Sequence, residues 1–145
     1  MALSRFIKAT AVLAVLLLGT SGCSYFQVLD GDGMEMTSKF EPVYYQISQE
    51  EAKRMMEIND GHIIVDVRRI DEFETGHIPG AICIPNEEIG DTKPAELPDQ
   101  DQIILVYCRS GRRSKEAGQK LADLGYSRVY EFGGIIDWDG EVTQD

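Results

Sequence analysis

The sequence predicts an α/β domain: a parallel β-sheet of about five strands with helices on both faces. Two observations carry that expectation. Short runs rich in β-branched residues, HIIVDV, AICIP and QIILVYC, alternate with stretches of helical apolar spacing. Strands that alternate with helices are joined by crossovers, which makes them parallel and covers both sides of the sheet. In addition, QIILVYC holds five apolar residues bounded by polar ones, the pattern of a strand buried on both faces.

The elements follow in order. VYYQIS, from Val43, reads as a short first strand. Ser48 then opens a helix, because SQEE fits a capping box with Glu51 at its fourth position. Ala52, Met55, Met56 and Ile58 give this helix an apolar side, and NDG ends it. HIIVDV is the second strand, followed by a short helix over residues 70–75. GHIPGAICIP reads as a turn and a third strand. NEEIGDTKPAELPDQD is a polar connection with two prolines. QIILVYC is the fourth strand. A helix over residues 113–124 places Ala117, Leu121 and Leu124 inward and stops at Gly125. SRVYEF is the fifth strand, and GGIIDW turns into a last short helix. There is no internal repeat or low-complexity tract.

The 145 residues carry 25 acidic and 14 basic side chains, a net charge of −11. That balance excludes general nucleic-acid binding, which requires a basic face. The N-terminus differs from the rest. Arg5 and Lys8 precede an uncharged run from Ala9 to Gly22, shorter than the roughly 18–20 apolar residues of a spanning helix. A basic start, a short apolar core and small residues describe an export signal. LLLGTSGC resembles a bacterial lipoprotein signal in which Cys23 is lipidated, although Thr20 stands where leucine is usual. The expected organisation is a signal over 1–22, a tether over 23–42 and a domain over 43–145. The resemblance implies an exported protein held on the outer face of a bacterial membrane by lipid on Cys23.

Against this acidic background, YCRSGRRS gathers three arginines within five positions of Cys108. Cys108 ends a buried parallel strand and a helix starts a few residues later. Ligands of open α/β sheets bind beyond the carboxyl ends of the strands. Freed backbone amides around Gly111 form an anion nest facing the helix start. Together with Arg109, Arg112 and Arg113 they favour thiolate over thiol. The expected chemistry is a thiolate nucleophile attacking an anionic substrate.

Four separated segments resemble the rhodanese family. VDVRRIDEFETGHIPGA matches its D-V-R, E-F and G-H-I-P-G-A signature. VYCRSGRRS matches the strand and active-site loop, EAGQKLADLGY the following helix, and VYEFGGIIDW the closing G-G-x-x-x-W segment. The resemblance covers about residues 43–140, in the family's order. It implies a rhodanese-like sulfurtransferase in which Cys108 becomes a persulfide. Arg109, Ser110, Gly111, Arg112 and Arg113 then cradle the transferred sulfur. Asp66 and Arg68 support the corner after the second strand, and Glu72, four residues on, suits an ion pair there. His77 and Trp138 are expected to be structural. The implied partners are a sulfur-anion donor such as thiosulfate and a thiol, cyanide-like or protein acceptor, with no metal or organic cofactor. Cys83 stands where the family usually has asparagine, and its reach toward Cys108 is left open.

Two other readings compete. Related phosphatases carry C-x5-R, but the sixth position after Cys108 is Ser114, with Arg113 one residue early. A rhodanese-like domain can also serve a protein partner as a sulfur relay or binding module, with little small-molecule turnover.

Overall fold

The computed structural model describes residues 43–144 in full and, before them, the backbone of three short strands. The chain divides into two units, Met1–Glu41 and Pro42–Asp145. In the first, β1 (Leu16–Leu18), β2 (Tyr25–Leu29) and β3 (Glu35–Lys39) form an antiparallel sheet in that order. Of these strands, β1 lies within the expected signal and β2 and β3 within the expected tether. Tyr25, Phe26, Val28 and Thr37 are residues that favour extended backbone. The expected cleavage point and Cys23, the expected lipidation site, lie outside the described residues. Among the described residues, no helix is long and apolar enough to cross a membrane.

The second unit is a five-stranded parallel sheet in the order β4-β8-β7-β5-β6. Its strands are β4 (Tyr45–Gln46), β5 (Ile63–Asp66), β6 (Ala81–Cys83), β7 (Ile104–Cys108) and β8 (Val129–Gly134). The helices are α1 (Gln49–Met56), α2 (Ile70–Glu74), α3 (Arg112–Asp123) and a final 3-10 turn, Ile135–Asp137. Ser48 caps α1 as its sequence predicts, its hydroxyl accepting the Glu51 N–H at 3.2 Å. The end of α3 is a Schellman motif: Gly125, at φ 92°, donates to Ala122 O, and Tyr126 donates to Leu121 O.

The alternation of β7 sorts the core into two layers. Ile104, Val106 and Cys108 join Val65, Ala117, Leu121 and Val129 beneath α3. Leu105 and Tyr107 join Ile64, Ala52 and Phe132 beneath α1. Helices thus cover both faces, which is why all five residues of β7 are buried. Ile58 departs from the expected apolar side of α1. It lies beyond the helix end and is 56% exposed. The 86–101 connection forms turns but no helix, and it still seals the α3 layer with Ile89 and Leu97.

This topology sets the place of the site. From β5 the chain runs outward to β6; from β7 it runs the other way to β8. Connections that diverge in this way leave a crevice beyond the carboxyl ends of the two strands. Asp66 ends β5 and Cys108 ends β7, so both residues stand at that crevice.

Candidate active site

Cys108 is 1% exposed and lies in the α3 layer of the core. The chain turns sharply after it. Gly111, at φ +94°, caps α3 and points its N–H back to Cys108 Sγ at 3.1 Å. A side chain is strained at that φ, so glycine is required for the turn. Burial pushes the thiol pKa up. The Ser114 hydroxyl and the Ser114, Ser110 and Gly111 amides, donors near the sulfur, outweigh it and leave the pKa below the ordinary cysteine value. The nest expected from the sequence thus acts chiefly through backbone donors at the start of a helix.

The loop rests on the end of β8. Between Val106 and Cys108 the β7–β8 register shifts, with Val106 opposite Glu131 and Cys108 opposite Gly134. The extra residue on β8 makes a bulge, taken up by Gly133 at φ +96°. Gly134 lies directly under the loop: an added Cβ would sit 2.3 Å from Arg109 O and 2.5 Å from Ser110 Cα. The Ile136 N–H then binds Arg109 O at 3.2 Å. The adjacent glycines near the end of the domain are therefore the seat of the active-site loop.

The three arginines have different roles. Arg113 is held by Glu72 through two hydrogen bonds, Nη1 to Oε2 at 2.7 Å and Nη2 to Oε1 at 2.9 Å. That arginine holds the Glu72 carboxyl down at about 2. This corrects the expected ion pair at the β5 corner: the partner of Glu72 is Arg113, across from α2 to α3. Arg68 turns instead to Asp66, with Nη2–Oδ2 at 2.6 Å, and to Gly76 O at 2.7 Å. Arg112 is largely exposed, with a long 3.8 Å pair to Glu116, and Arg109 is also exposed. The hydrogen bonds to Glu72 raise the pKa of Arg113 against the effect of its burial, and the nearby Cys108 adds to the rise.

Asp66 and Arg68 do not line the sulfur pocket. Asp66 pairs with Tyr107 in the sheet, and parallel partners face the same side. The Asp66–Arg68 pair therefore lies on the α1 side, where it holds the turn that starts at Gly76. His77 stacks on Phe73 at 3.7 Å and its ring nitrogen Nδ1 lies 3.0 Å from Phe73 O, a structural placement. Trp138 packs against Phe132 at the edge of the same layer.

The question of Cys83 has a geometric answer. Cys83 pairs with Asp66 and so points to the α1 side, whereas Cys108 points to the α3 side. With β5 between them, their backbones are about 10 Å apart. A disulfide spans no more than about 7 Å. Both thiols are free, and burial pushes Cys83 up to about 11. In this fold Cys83 cannot resolve a modified Cys108.

Two residues of the site escaped the sequence reading. Ser114 served there only to exclude a phosphatase loop. In the fold it is fully buried and contributes both hydroxyl and amide beside Cys108. Glu131, 2% exposed, receives the Ser114 Oγ–H at 2.6 Å and the Gly133 N–H at 2.9 Å. Its signal was present: Glu131 is two residues after Val129, so it occupies an inward position of a buried strand. Among the described residues, no three His, Cys, Asp or Glu side chains converge as a metal site requires.

Comparison with known proteins agrees with this geometry. The rhodanese-like domain profile matches residues 48–141. YrkF of Bacillus subtilis, named as a sulfur carrier protein, is 34% identical over 76% of this chain, which spans 59% of its length. Thiosulfate sulfurtransferase PspE of Escherichia coli is 36% identical over 50% of this chain and 70% of its own length. Among solved structures, an E. coli rhodanese with anions superposes with a TM-score of 0.54 at 31% identity. That superposition covers 59% of this chain and all of that one.

Proposed function

Because the chain belongs to the rhodanese-like domain family, whose members similar to it are named as sulfurtransferases or sulfur carriers, we propose that it moves sulfane sulfur through a Cys108 persulfide. The observation that carries this reading is a buried thiol whose sulfur accepts an N–H from the loop capping the next helix, with further donors beside it. In the first step the Cys108 thiolate attacks the outer sulfur of thiosulfate. The new S–S bond forms as the old one breaks, and sulfite leaves with the electron pair. Charge is conserved: one monoanion and one dianion give a persulfide monoanion and sulfite. In the second step a thiolate or cyanide-like acceptor attacks the outer persulfide sulfur, and Cys108 leaves as thiolate. The donors that lower its pKa stabilise it both as nucleophile and as leaving group. Exposed Arg109 and Arg112 attract the anionic donor, while Arg113 is partly neutralised by Glu72.

The test is an intact mass after thiosulfate treatment and removal of the excess. A reducible gain of one sulfur is expected, absent in Cys108→Ser. No gain on a free Cys108 thiol would remove thiosulfate as donor. The resemblance to a sulfur carrier supports a second reading, a relay to a protein acceptor; stable persulfide with negligible turnover to cyanide would favour it. The lipoprotein-like segment ending at Cys23 supports a membrane-held protein on the outer face. Metabolic labelling with a fatty acid should mark the wild type and not Cys23→Ser.

A further inference from the structure

A second concave site lies apart from Cys108. Between α1, the turn before β6 and the segment after the 3-10 turn there is an open cavity of about 560 Å³. Its base is formed by Met56, Ile64, Ile78 and Trp138, all of the α1 layer of the core. Cys108 belongs to the opposite layer, beneath α3. Ile64 is level with Leu105, three residues before Cys108, so the cavity also sits about 10 Å back along the strands. A cavity of this size holds a small organic ligand, with apolar groups supplying contact and a few charged ones supplying orientation.

The Trp138 wall is fixed in place. Its indole N–H donates to Glu141 O at 3.1 Å, and Gly140 lies so close that an added Cβ would be 2.7 Å from the ring. The Lys53 ammonium sits 5.2 Å from the ring centroid, so this indole already attracts a cation. The charges around the cavity are unequal. Lys53 and His62 each have a carboxylate of their own, Asp139 and Asp60. Glu57 and Glu141 also line the cavity, are exposed, and make no ion pair among the described residues. The cavity is therefore apolar at its base and net negative at its mouth.

We propose that this cavity binds a small organic cation, an amine or guanidinium carried on an apolar body. The apolar body packs on Met56, Ile64, Ile78 and the side of Trp138, which removes its surface from water. The cationic group stays at the mouth beside Glu57 and Glu141, where it keeps part of its hydration and avoids the cost of burying a charge. A neutral ligand of the same shape gains the burial alone. An anion meets two unmatched carboxylates, and the one lysine at hand is already engaged by Asp139. This site is independent of the proposed sulfur transfer and does not rest on it.

The sequence has a single tryptophan and it lines this cavity, so Trp138 fluorescence reports occupancy directly. The probe is phenethylamine, titrated into the full chain at low salt beside phenethyl alcohol and hydrocinnamate, which differ from it chiefly in charge. The amine should give a saturable change and bind roughly fivefold more tightly than the alcohol, the effect of an exposed ion pair. The carboxylate should bind more weakly than the alcohol. Added salt should shrink the margin of amine over alcohol. Joint replacement Glu57→Gln and Glu141→Gln, at two exposed positions, should erase that margin and leave the alcohol's affinity as it was. Alkylation of Cys108 should leave the amine's affinity unchanged, which separates the cavity from the sulfur site. Three results would overturn the proposal: no saturable change with the amine, equal affinity for amine and alcohol, or a margin that survives the double substitution. Loss of amine binding on alkylation of Cys108 would equally overturn it, by assigning the amine to the active-site loop.

Discussion

Replacement of Gly134 by alanine tests whether the active-site loop is seated on β8. The backbone at Gly134 is ordinary extended chain, φ −129° and ψ 147°, so alanine is accepted there without backbone strain. The obstacle is steric. The new Cβ would lie 2.3 Å from Arg109 O, 2.5 Å from Ser110 Cα and 2.6 Å from Arg109 C. Ordinary contact begins near 3.4 Å, so the loop and the strand must separate by about 1.1 Å. Each is backbone and each is tied: the loop by Ile136 N–H to Arg109 O, and Gly134 by its carbonyl, which accepts from Gln49 Nε2 at 2.9 Å. Overpacking of this kind costs about 1–3 kcal/mol in stability. A misplacement of about 1 Å at a reacting group costs on the order of a hundredfold in rate. The assay is persulfide formation from thiosulfate, followed by mass, beside a thermal melt. Gly133→Ala is the comparison. Its φ of +96° strains any side chain by roughly 1–2 kcal/mol, but the nearest atom to the new Cβ is Gln49 Nε2 at 3.9 Å. It should lose stability with a much smaller loss of rate. A Gly134→Ala protein with wild-type rate and melting temperature would refute the seating of the loop.

Three other outcomes are expected. Arg68→Ala strands the fully buried Asp66 carboxylate, which should cost about 3–5 kcal/mol by urea denaturation; a loss below about 1 kcal/mol would show the pair to be solvated. Glu72 has a folded pKa of about 2, depressed by Arg113, so its pair stabilises the fold above the ordinary glutamate range and the gain is lost as pH falls from about 5 toward 2. Wild type should exceed Glu72→Gln by about 1–3 kcal/mol at neutral pH, with the difference closing across that acid window; a difference that persists at pH 2 would contradict the pairing. At about pH 8 a thiol of pKa about 11 is ionised to roughly one part in a thousand, so brief alkylation of the native fold should mark Cys108 and spare Cys83; equal labelling of both would refute the assigned environments.

The sequence by itself determined the α/β class, the five strands of the domain and the position of Cys108. Each is written in local pattern. β-branched runs specify strands, Ser48 and Gly125 bound helices, and a cysteine before R-S-G-R-R at a strand end announces an anion nest. The family signature resides in the same contiguous words. Tertiary structure alone decided which side chains meet. Glu72 lies four residues from Arg68, yet it binds Arg113, 41 residues away, because α2 and α3 both start beyond the carboxyl ends of the neighbouring strands β5 and β7. The sequence leaves the reach of Cys83 toward Cys108 open, and strand register puts the two on opposite faces. Ile58 continued an apolar pattern past the point where α1 had ended. Ser114 and Glu131, from different elements, become one hydrogen-bonded unit only once α3 packs against β8. Local spacing records which face of its own element a residue occupies. It holds no record of how neighbouring elements are aligned, and the partners of a buried charge are set by that alignment.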